Sequence, residues 1–233
     1  YERSVRLASA IKNAGVKPGE VVTIMAPNIP EMFEAHFGVA MAGAVLNTLN
    51  TRLDTDTIAY ILEHADTRLL ITDAAFGEAM KTALTKTENK KIKIIDIVDQ
   101  QASESVSGLR LGEQDYETFL NGADPEFKWQ MPADEWQAMC LNYTSGTSGR
   151  PKGVVYHHRG AYLMAMGTIP VWNMPMHPTY LYVVPLFHCN GWGHAWMMAI
   201  VAGTTICCRK IIAEDIYPLI TEHKVTHFGG API

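Results

Sequence analysis

A segment rich in glycine and hydroxyl side chains, residues 143–153 (YTSGTSGRPKG), has the composition of a phosphate-binding loop. Because glycine tolerates positive φ, consecutive backbone N–H groups in such a segment can turn toward one anion. Hydroxyl groups add hydrogen-bond donors and a lysine adds a full positive charge. We call residues 143–153 the phosphate-loop segment. Its predicted nucleotide-binding residues are Thr144, Ser145, Gly146, Thr147, Ser148, Gly149 and Lys152.

Two other kinds of phosphate-binding loop do not match this segment. A Walker loop requires Gly-Lys-Ser/Thr, whereas Lys152 is followed by Gly153. The spacing G-x-G-x-x-G is also absent from Gly146, Gly149 and Gly153. A flexible Ser/Gly linker is the alternative. An Arg-Pro-Lys-Gly sequence that leads directly into the apolar residues 154–156 favours instead an ordered loop between two strands.

A second group of chemically useful side chains lies in residues 185–194 (PLFHCNGWGH), at a predicted strand-to-helix connection. A zinc site could use His188, Cys189 and His194, but the paired spacings typical of zinc ligands are missing. A Cys/His nucleophile would need a geometry that adjacent residues rarely provide. The third interpretation is the wall of a small-molecule pocket, where His188 offers a polar group and Trp192 a flat apolar face.

No Asp, Glu, Lys or Arg occurs between Arg159 and Arg209. The longest plain apolar run there, residues 195–202, is far shorter than the ~20 residues of a membrane span. We therefore expect a buried region that walls an apolar cavity, without stable membrane insertion. The net charge of −5 argues against non-specific binding of nucleic acid. Four cysteines without C-x-x-C spacing, and no signal peptide at the first residues, predict a cytoplasmic protein.

The elements that position these groups alternate between strand and helix at short spacing, which predicts an α/β fold with two mostly parallel sheets flanked by helices. Residues 1–98 are predicted to form a first α/β subdomain, residues 99–136 a connecting segment, and residues 137–233 a second α/β subdomain. The predicted helices include residues 1–14, 74–84, 160–166, 192–202 and 214–223. Asn28 is the predicted N-cap of one further helix, and Asp54 or Thr55 that of another. The predicted strands cover residues 21–25, 44–47, 68–72, 92–98, 139–143, 154–156, 180–184, 204–208 and 225–228.

Taken together, these segments resemble the adenylate-forming (AMP-binding) superfamily, which includes acyl-CoA synthetases, luciferases and peptide-synthetase adenylation domains. Residues 143–153 look like its phosphate-loop signature, with Ser148 where threonine is more usual. Residues 185–192 look like the aromatic–His motif that borders the acyl pocket, and residues 226–232 like the floor of that pocket. The form FHCNGW is most similar to short- and medium-chain acyl-CoA synthetases, including methylmercaptopropionate–CoA ligases.

The resemblance implies an ATP-dependent acid–thiol ligase of the AMP-forming kind, with a small carboxylic acid, ATP and CoA as its partners. The carboxylate would attack the α-phosphate of Mg·ATP, and CoA would then displace AMP from the acyl-adenylate. Lys152 and His188 would be catalytic, and Thr144 would face Mg²⁺. A homodimer is left open. The implied substrate-binding residues are His188, Trp192, Gly230, Ala231 and Pro232.

Several family motifs have no counterpart in residues 1–233: the adenine-reading aromatic motif, the Mg-binding Glu, the ribose-binding Asp, the hinge and the C-terminal catalytic Lys. We therefore interpret the chain as the N-terminal part of a longer polypeptide and expect it to be inactive alone. Two alternatives stay open, an adenylating enzyme that loads a carrier-protein thiol and a non-catalytic nucleotide-binding module.

Overall fold

The strands of this protein form two sheets that are nearly all parallel. The computed structural model describes residues 1–144 and 149–230. In those ranges the first sheet has the order β5-β4-β3-β1-β2-β6-β7 and the second the order β10-β8-β9. Among the described strands, only the β6–β7 pair is antiparallel. The strands are β1 (Val21–Met25), β2 (Val45–Thr48), β3 (Thr67–Asp73), β4 (Lys93–Ile97), β5 (Gln114–Asp115), β6 (Ala138–Thr144), β7 (Lys152–His157), β8 (Thr179–Tyr182), β9 (Thr204–Cys207) and β10 (His227–Phe228).

Helices connect these strands and cover the sheets, which confirms the predicted α/β class. A 3-10 turn, Ala74–Phe76, precedes the fourth helix, where the sequence pattern predicted one continuous helix. The helices are α1 (Glu2–Asn13), α2 (Pro30–Met41), α3 (Thr55–His64), α4 (Gly77–Lys86), α5 (Ser103–Val106), α6 (Tyr116–Asn121), α7 (His158–Val171), α8 (Cys189–Trp192), α9 (His194–Ile200) and α10 (Ala213–Glu222).

Helix α2 packs into a core shared by both sheets. Its Val39 is fully buried and belongs to one apolar cluster with Val22 of β1 and Tyr180 of β8. On its other side, α2 approaches α1 so closely that a Cβ at Gly38 would lie 2.6 Å from a side-chain carbon of Leu7. Burial on several sides explains why α2 has an almost continuous apolar sequence rather than one apolar stripe.

The first sheet takes strands from both sides of the segment 99–136. β6 and β7 follow that segment, yet β6 pairs in parallel with β2, with Leu46 opposite Cys140. The side chain of Asn47 strengthens this pairing by donating from Nδ2 to the carbonyl of Leu141 at 2.7 Å. The division into subdomains 1–98 and 137–233 stays a prediction, and sheet membership does not follow it.

The two predicted N-caps have different outcomes. Asp54 caps α3 by accepting hydrogen bonds from the backbone N–H groups of Asp56 and Thr57, as predicted. The prediction for Asn28 is wrong, because α2 starts at Pro30 with Ile29 as its N-cap residue. A proline at the first helical position has no N–H to satisfy, so this terminus depends less on a side-chain cap.

An ion-pair cluster joins the end of the second sheet to the end of the first. Arg209, which follows β9, contacts Asp73 at 2.8 Å, Asp99 at 3.2 Å and Glu104 at 3.1 Å. Asp73 is fully buried at the end of β3. A buried carboxylate is costly without a partner, so Arg209 is a structural link between the sheets.

The charge-free region after Arg159 forms alternating helices and strands, from α7 to β9. In the ranges that the structure describes, no helix is long and apolar enough to cross a bilayer.

Candidate functional site

The phosphate-loop segment joins two adjacent strands of the first sheet. Thr144 ends β6, Lys152 begins β7, and these two residues lie directly opposite each other in the antiparallel pair. The side chains of Thr144 and Lys152 are both exposed. Among residues 1–144 and 149–230, no carboxylate forms an ion pair with Lys152. Its charge is thus not neutralised by a described side chain. The predicted residues Ser145, Gly146, Thr147 and Ser148 lie outside the described residues.

Glycine is required at two positions of the segment for different structural reasons. Gly149 has φ +97°, which an L side chain rarely adopts, and the space around it is open. Gly153 lies opposite Tyr143 in the sheet, where a Cβ would be 3.0 Å from the side chain of Leu141. The first glycine therefore serves the backbone of the loop and the second serves the packing beside it.

The second predicted group forms a turn with unusual backbone geometry. Five consecutive residues, from Cys189 to Gly193, have φ between 48° and 70°. Three of them are not glycine, and left-handed backbone costs such residues energy unless the surroundings hold it. The continuous helix predicted over residues 192–202 is accordingly broken at Gly193, and the regular helix α9 begins at His194.

A buried hydrogen-bond network holds this turn. Asn190 is fully buried, and its Oδ1 accepts from Nδ2 of Asn142 at 2.7 Å. Its Nδ2 lies 3.3 Å from Nε2 of His36. Asn142 is on β6, two residues before Thr144, so the network ties the His188 turn to the strand that leads into the phosphate-loop segment.

The partners of His36 and Thr48 complete the network. His36 Nδ1 lies 2.8 Å from the carbonyl of Met32, so Nδ1 is the protonated donor and Nε2 the acceptor for Asn190. Burial lowers the pKa of His36 to about 4, which keeps the ring neutral as this arrangement requires. Thr48 Oγ1 donates to the carbonyl of Phe187 at 2.8 Å and lies 3.2 Å from the side-chain oxygen of Asn142.

Sequence reasoning missed that Asn142, Asn190 and Thr48 form one network with His36. Asn28, too, has a role that the pattern did not reveal. Its Nδ2 donates to the carbonyls of Tyr182 and Val184 at 2.9 and 3.0 Å, and its Oδ1 accepts from the N–H of Leu186. One signal in the sequence could have indicated these roles, namely an amide side chain inside or beside an apolar strand. Amide groups that are buried in a core are almost always hydrogen-bonded.

The two histidines of the turn have different environments. His188 is exposed, and its Nε2 lies 3.9 Å from Cys189 Sγ. His194 is buried, with Nδ1 2.7 Å from the hydroxyl of Tyr180, and desolvation lowers its pKa to about 4. Within the described residues, no three His, Cys, Asp or Glu side chains form a group that could hold a metal. The geometry therefore does not support zinc at His188, Cys189 and His194.

Trp192 belongs to an aromatic cluster. Its ring centroid lies 6.3 Å from that of Trp172 and 6.0 Å from that of His194. Trp172 also contacts the segment after β10, because a Cβ at Gly229 would lie 2.7 Å from its ring. Trp172 thus brings together the two segments that were predicted to border the acyl pocket. Gly230 is exposed with open space around it, and Ala231 and Pro232 lie outside the described residues.

An apolar cavity of about 570 Å³ lies beside α2, α7 and α9. The charge-free region contributes Tyr162, Leu163 and Trp196 to its wall, as predicted. The predicted burial of that region is wrong for the outer face of α7, because Tyr162 and Leu163 are exposed. His188 and Trp192 do not line it. These two predicted acyl-binding residues therefore lie outside the wall of this cavity.

Comparison of this chain with known proteins identifies its family. The family of AMP-binding enzymes matches the chain over residues 1–233. The chain belongs to this family, which confirms the resemblance in sequence. The peroxisomal acetate/butyrate–CoA ligase AAE7 of Arabidopsis thaliana is 45% identical over 241 residues, covering 100% of this chain and 42% of that protein. The 2-methylpropanoate–CoA ligase CCL4 of Humulus lupulus is 42% identical over 238 residues, with 100% and 42% covered.

A solved structure of a fatty acyl CoA synthetase from Mycobacterium tuberculosis has a TM-score of 0.83 to this chain at 22% identity. The match covers 99% of this chain and 42% of that one. This similarity supports the fold. The chain spans about two fifths of the length of the relatives it matches.

Thr144 is a chemically suitable single ligand for the Mg²⁺ that this family implies. Its exposed hydroxyl is a hard oxygen donor of the kind that Mg²⁺ prefers. Mg²⁺ generally keeps several waters and phosphate oxygens and needs few protein ligands, so one hydroxyl fits such a site.

Proposed function

We propose that this chain is the N-terminal part of an AMP-forming acid–CoA ligase that activates a short- or medium-chain carboxylic acid. The observation that carries the proposal is the buried Asn142–Asn190 hydrogen bond. It places the strand that bears Thr144 beside the turn that bears His188, so a nucleotide phosphate and an acid can meet between them. The names of the Arabidopsis and Humulus relatives, both CoA ligases for small acids, support the same substrate class.

Pyrophosphate leaves slowly unless the negative charge that develops on it is stabilised. In this proposal Lys152 supplies that stabilisation, since its ammonium group has no carboxylate partner in the described ranges. The backbone N–H groups of a loop with several glycines would add donors. The Thr144 hydroxyl would be one ligand of Mg²⁺, which would offset the charge of the ATP phosphates.

His188 and Trp192 have complementary roles in the proposal. His188 is the exposed polar side chain of the turn and orients the carboxylate of the acid. Trp192, held against Trp172 and His194, closes one side of the acyl pocket with a rigid apolar surface. A wall made of two tryptophans favours small acids over long aliphatic chains.

The test is AMP release by the full-length protein with ATP, CoA and a panel of straight-chain carboxylic acids. We expect activity with short and medium acids that falls as the chain lengthens. Full-length protein that releases neither AMP nor pyrophosphate with any acid would refute the proposal. Replacing CoA by a carrier protein in the same assay separates the two thiol acceptors.

Lys152→Ala in the full-length protein should slow the adenylation half-reaction at least tenfold, by about 1.4 kcal/mol or more, because one charge stabilising the leaving group is lost. Lys210→Ala is the matched control, since Lys210 is an exposed lysine whose partner is Glu104. An unchanged rate of ATP–pyrophosphate exchange in Lys152→Ala would remove this residue from the mechanism. Residues 1–233 alone should show no exchange.

Location and assembly also belong to the proposal. We propose a cytoplasmic enzyme without nucleic-acid partners, although the Arabidopsis relative is named as peroxisomal. Imaging the tagged full-length protein tests the compartment. Sedimentation of the same protein tests whether it forms the homodimer that the sequence left open.

A further inference from the structure

Helix α3 presents two aromatic side chains to the phosphate-loop segment. Its other face carries Ile58, Ile61 and Leu62 into the core. Tyr60 and His64 are four residues apart and therefore lie on the same side of the helix. Their rings are stacked, with centroids 5.3 Å apart and an interplanar angle of 29°.

The first contact reaches the start of the segment. The hydroxyl of Tyr143 lies 2.7 Å from Nδ1 of His64, and the two rings meet edge to face at 5.7 Å. Partial burial raises the pKa of Tyr143 to about 12, so the phenol keeps its proton. Depending on its tautomer, Nδ1 of His64 accepts from this hydroxyl or donates to its oxygen.

The second contact reaches the far end of the loop. The guanidinium carbon of Arg150 lies 5.6 Å from the ring centroid of Tyr60, within the range of a cation–π interaction. Arg150 directly follows Gly149, whose φ is +97°. Tyr60 therefore contacts the residue after the point at which the backbone turns.

We propose that Tyr60 and His64 are positioning residues that hold the two ends of the phosphate-loop segment for ATP. This inference rests on the proposed function. Segments with several glycines lose much conformational entropy when they are ordered around a ligand. Contacts that order Tyr143 and Arg150 beforehand lower the part of this entropy cost that ATP binding must offset.

The proposal separates the two half-reactions. Adenylation uses the phosphate-loop segment, whereas thioester formation from a supplied acyl-adenylate does not need the pyrophosphate grip. In the full-length protein, Tyr143→Phe and His64→Ala should each raise the KM for ATP in ATP–pyrophosphate exchange about fivefold, the effect of one lost hydrogen bond. The rate of thioester formation from supplied acyl-adenylate and CoA should change by less than about twofold.

A double-mutant cycle tests whether the two side chains act together. The Tyr143→Phe/His64→Ala double variant should be no worse than His64→Ala alone, because that change already removes the hydrogen bond that Tyr143→Phe removes. Tyr60→Phe, which keeps the ring, should behave as the wild type, whereas Tyr60→Ala should raise the KM for ATP. Arg150→Leu removes the same cation–π contact from the other side and should also raise the KM for ATP. It replaces Tyr60→Ala as the test if that variant does not fold. His177→Ala is the matched control, an exposed histidine whose Nδ1 contacts the carbonyl of Ala202.

Three results would overturn the inference. Equal slowing of both half-reactions would mean a general structural role for α3. Additive effects in the cycle would mean that Tyr143 and His64 act separately. Wild-type ATP kinetics in Tyr143→Phe and His64→Ala would mean that the contacts do not matter. Wild-type full-length protein that is inactive with every acid would instead refute the proposed function.

Discussion

Asn190 is fully buried in the left-handed turn of α8, at φ 52°, and replacing it by alanine perturbs both backbone and side chain. The Asn190→Ala change removes the acceptor of Asn142 Nδ2 and the donor to His36 Nε2. Each buried polar atom left without a partner costs ~1–3 kcal/mol. Alanine also loses the local stabilisation that lets asparagine adopt left-handed backbone, which adds ~1 kcal/mol. With two such atoms, Asn142 Nδ2 and His36 Nε2, we therefore expect a loss of about 3–7 kcal/mol in the free energy of unfolding.

Asn190→Gly separates the two contributions. Glycine loses the same hydrogen bonds but adopts positive φ without strain, so this variant should be ~1 kcal/mol more stable than Asn190→Ala. Urea unfolding of the full-length protein, followed by circular dichroism and tryptophan fluorescence, measures both differences. The adenylation rate should fall too, because the turn that carries His188 loses its link to β6.

A specific result would refute this reasoning. If Asn190→Ala unfolds within about 0.5 kcal/mol of the wild type, the network does not hold the turn. If alanine and glycine are equally destabilised, the left-handed backbone contributes no strain. If stability falls but adenylation by the remaining folded protein is unchanged, the turn does not position the chemistry.

Two further predictions concern the rest of the fold. Arg209→Ala should lower the free energy of unfolding by about 3 kcal/mol in urea titration, because the buried Asp73 loses its partner; Lys210→Ala, at an exposed pair, should change it by less than about 1 kcal/mol. Burial lowers the pKa of His36 to about 4, so the unfolded chain takes up a proton that the folded chain does not, and stability should fall as pH drops from about 6.5 toward 4. Desolvation raises the pKa of Glu31 to about 7. Glu31 therefore has the opposite effect on stability, which is lost as pH rises from about 4.5 to 7. The difference between wild type and His36→Gln in urea titrations across this window therefore isolates the histidine; identical pH profiles would contradict its buried, neutral state.

Much of the local structure followed from the sequence alone. Apolar periodicity located nine of the ten described strands, all except the two-residue β5, and Asp54 was one of two candidates for the cap of α3. These features depend on residues two to four positions apart, whose spacing is visible in the sequence. The spacing of glycine, hydroxyl and lysine side chains in residues 143–153 also indicated a phosphate-binding loop and the family of AMP-binding enzymes, because few other chemistries require that combination.

Contacts between distant residues could not be predicted in this way. Nothing near Asn28 in the chain indicates that it binds Leu186, which is 158 positions away, and a helix cap was the better local interpretation. The place of β6 and β7 in the first sheet depended on the free edge of β2, which no pattern within residues 138–157 reveals.

Residue types alone show which side chains are available for phosphate and acid chemistry, since Lys152, Thr144 and His188 are chemically recognisable without a fold. The contacts that hold them in place are visible only in the folded protein. The Asn142–Asn190 bond spans 48 positions and the His64–Tyr143 bond spans 79. Hydrogen bonds of this kind form only when packing has excluded water and fixed both partners, so their existence depends on the whole core rather than on either local segment.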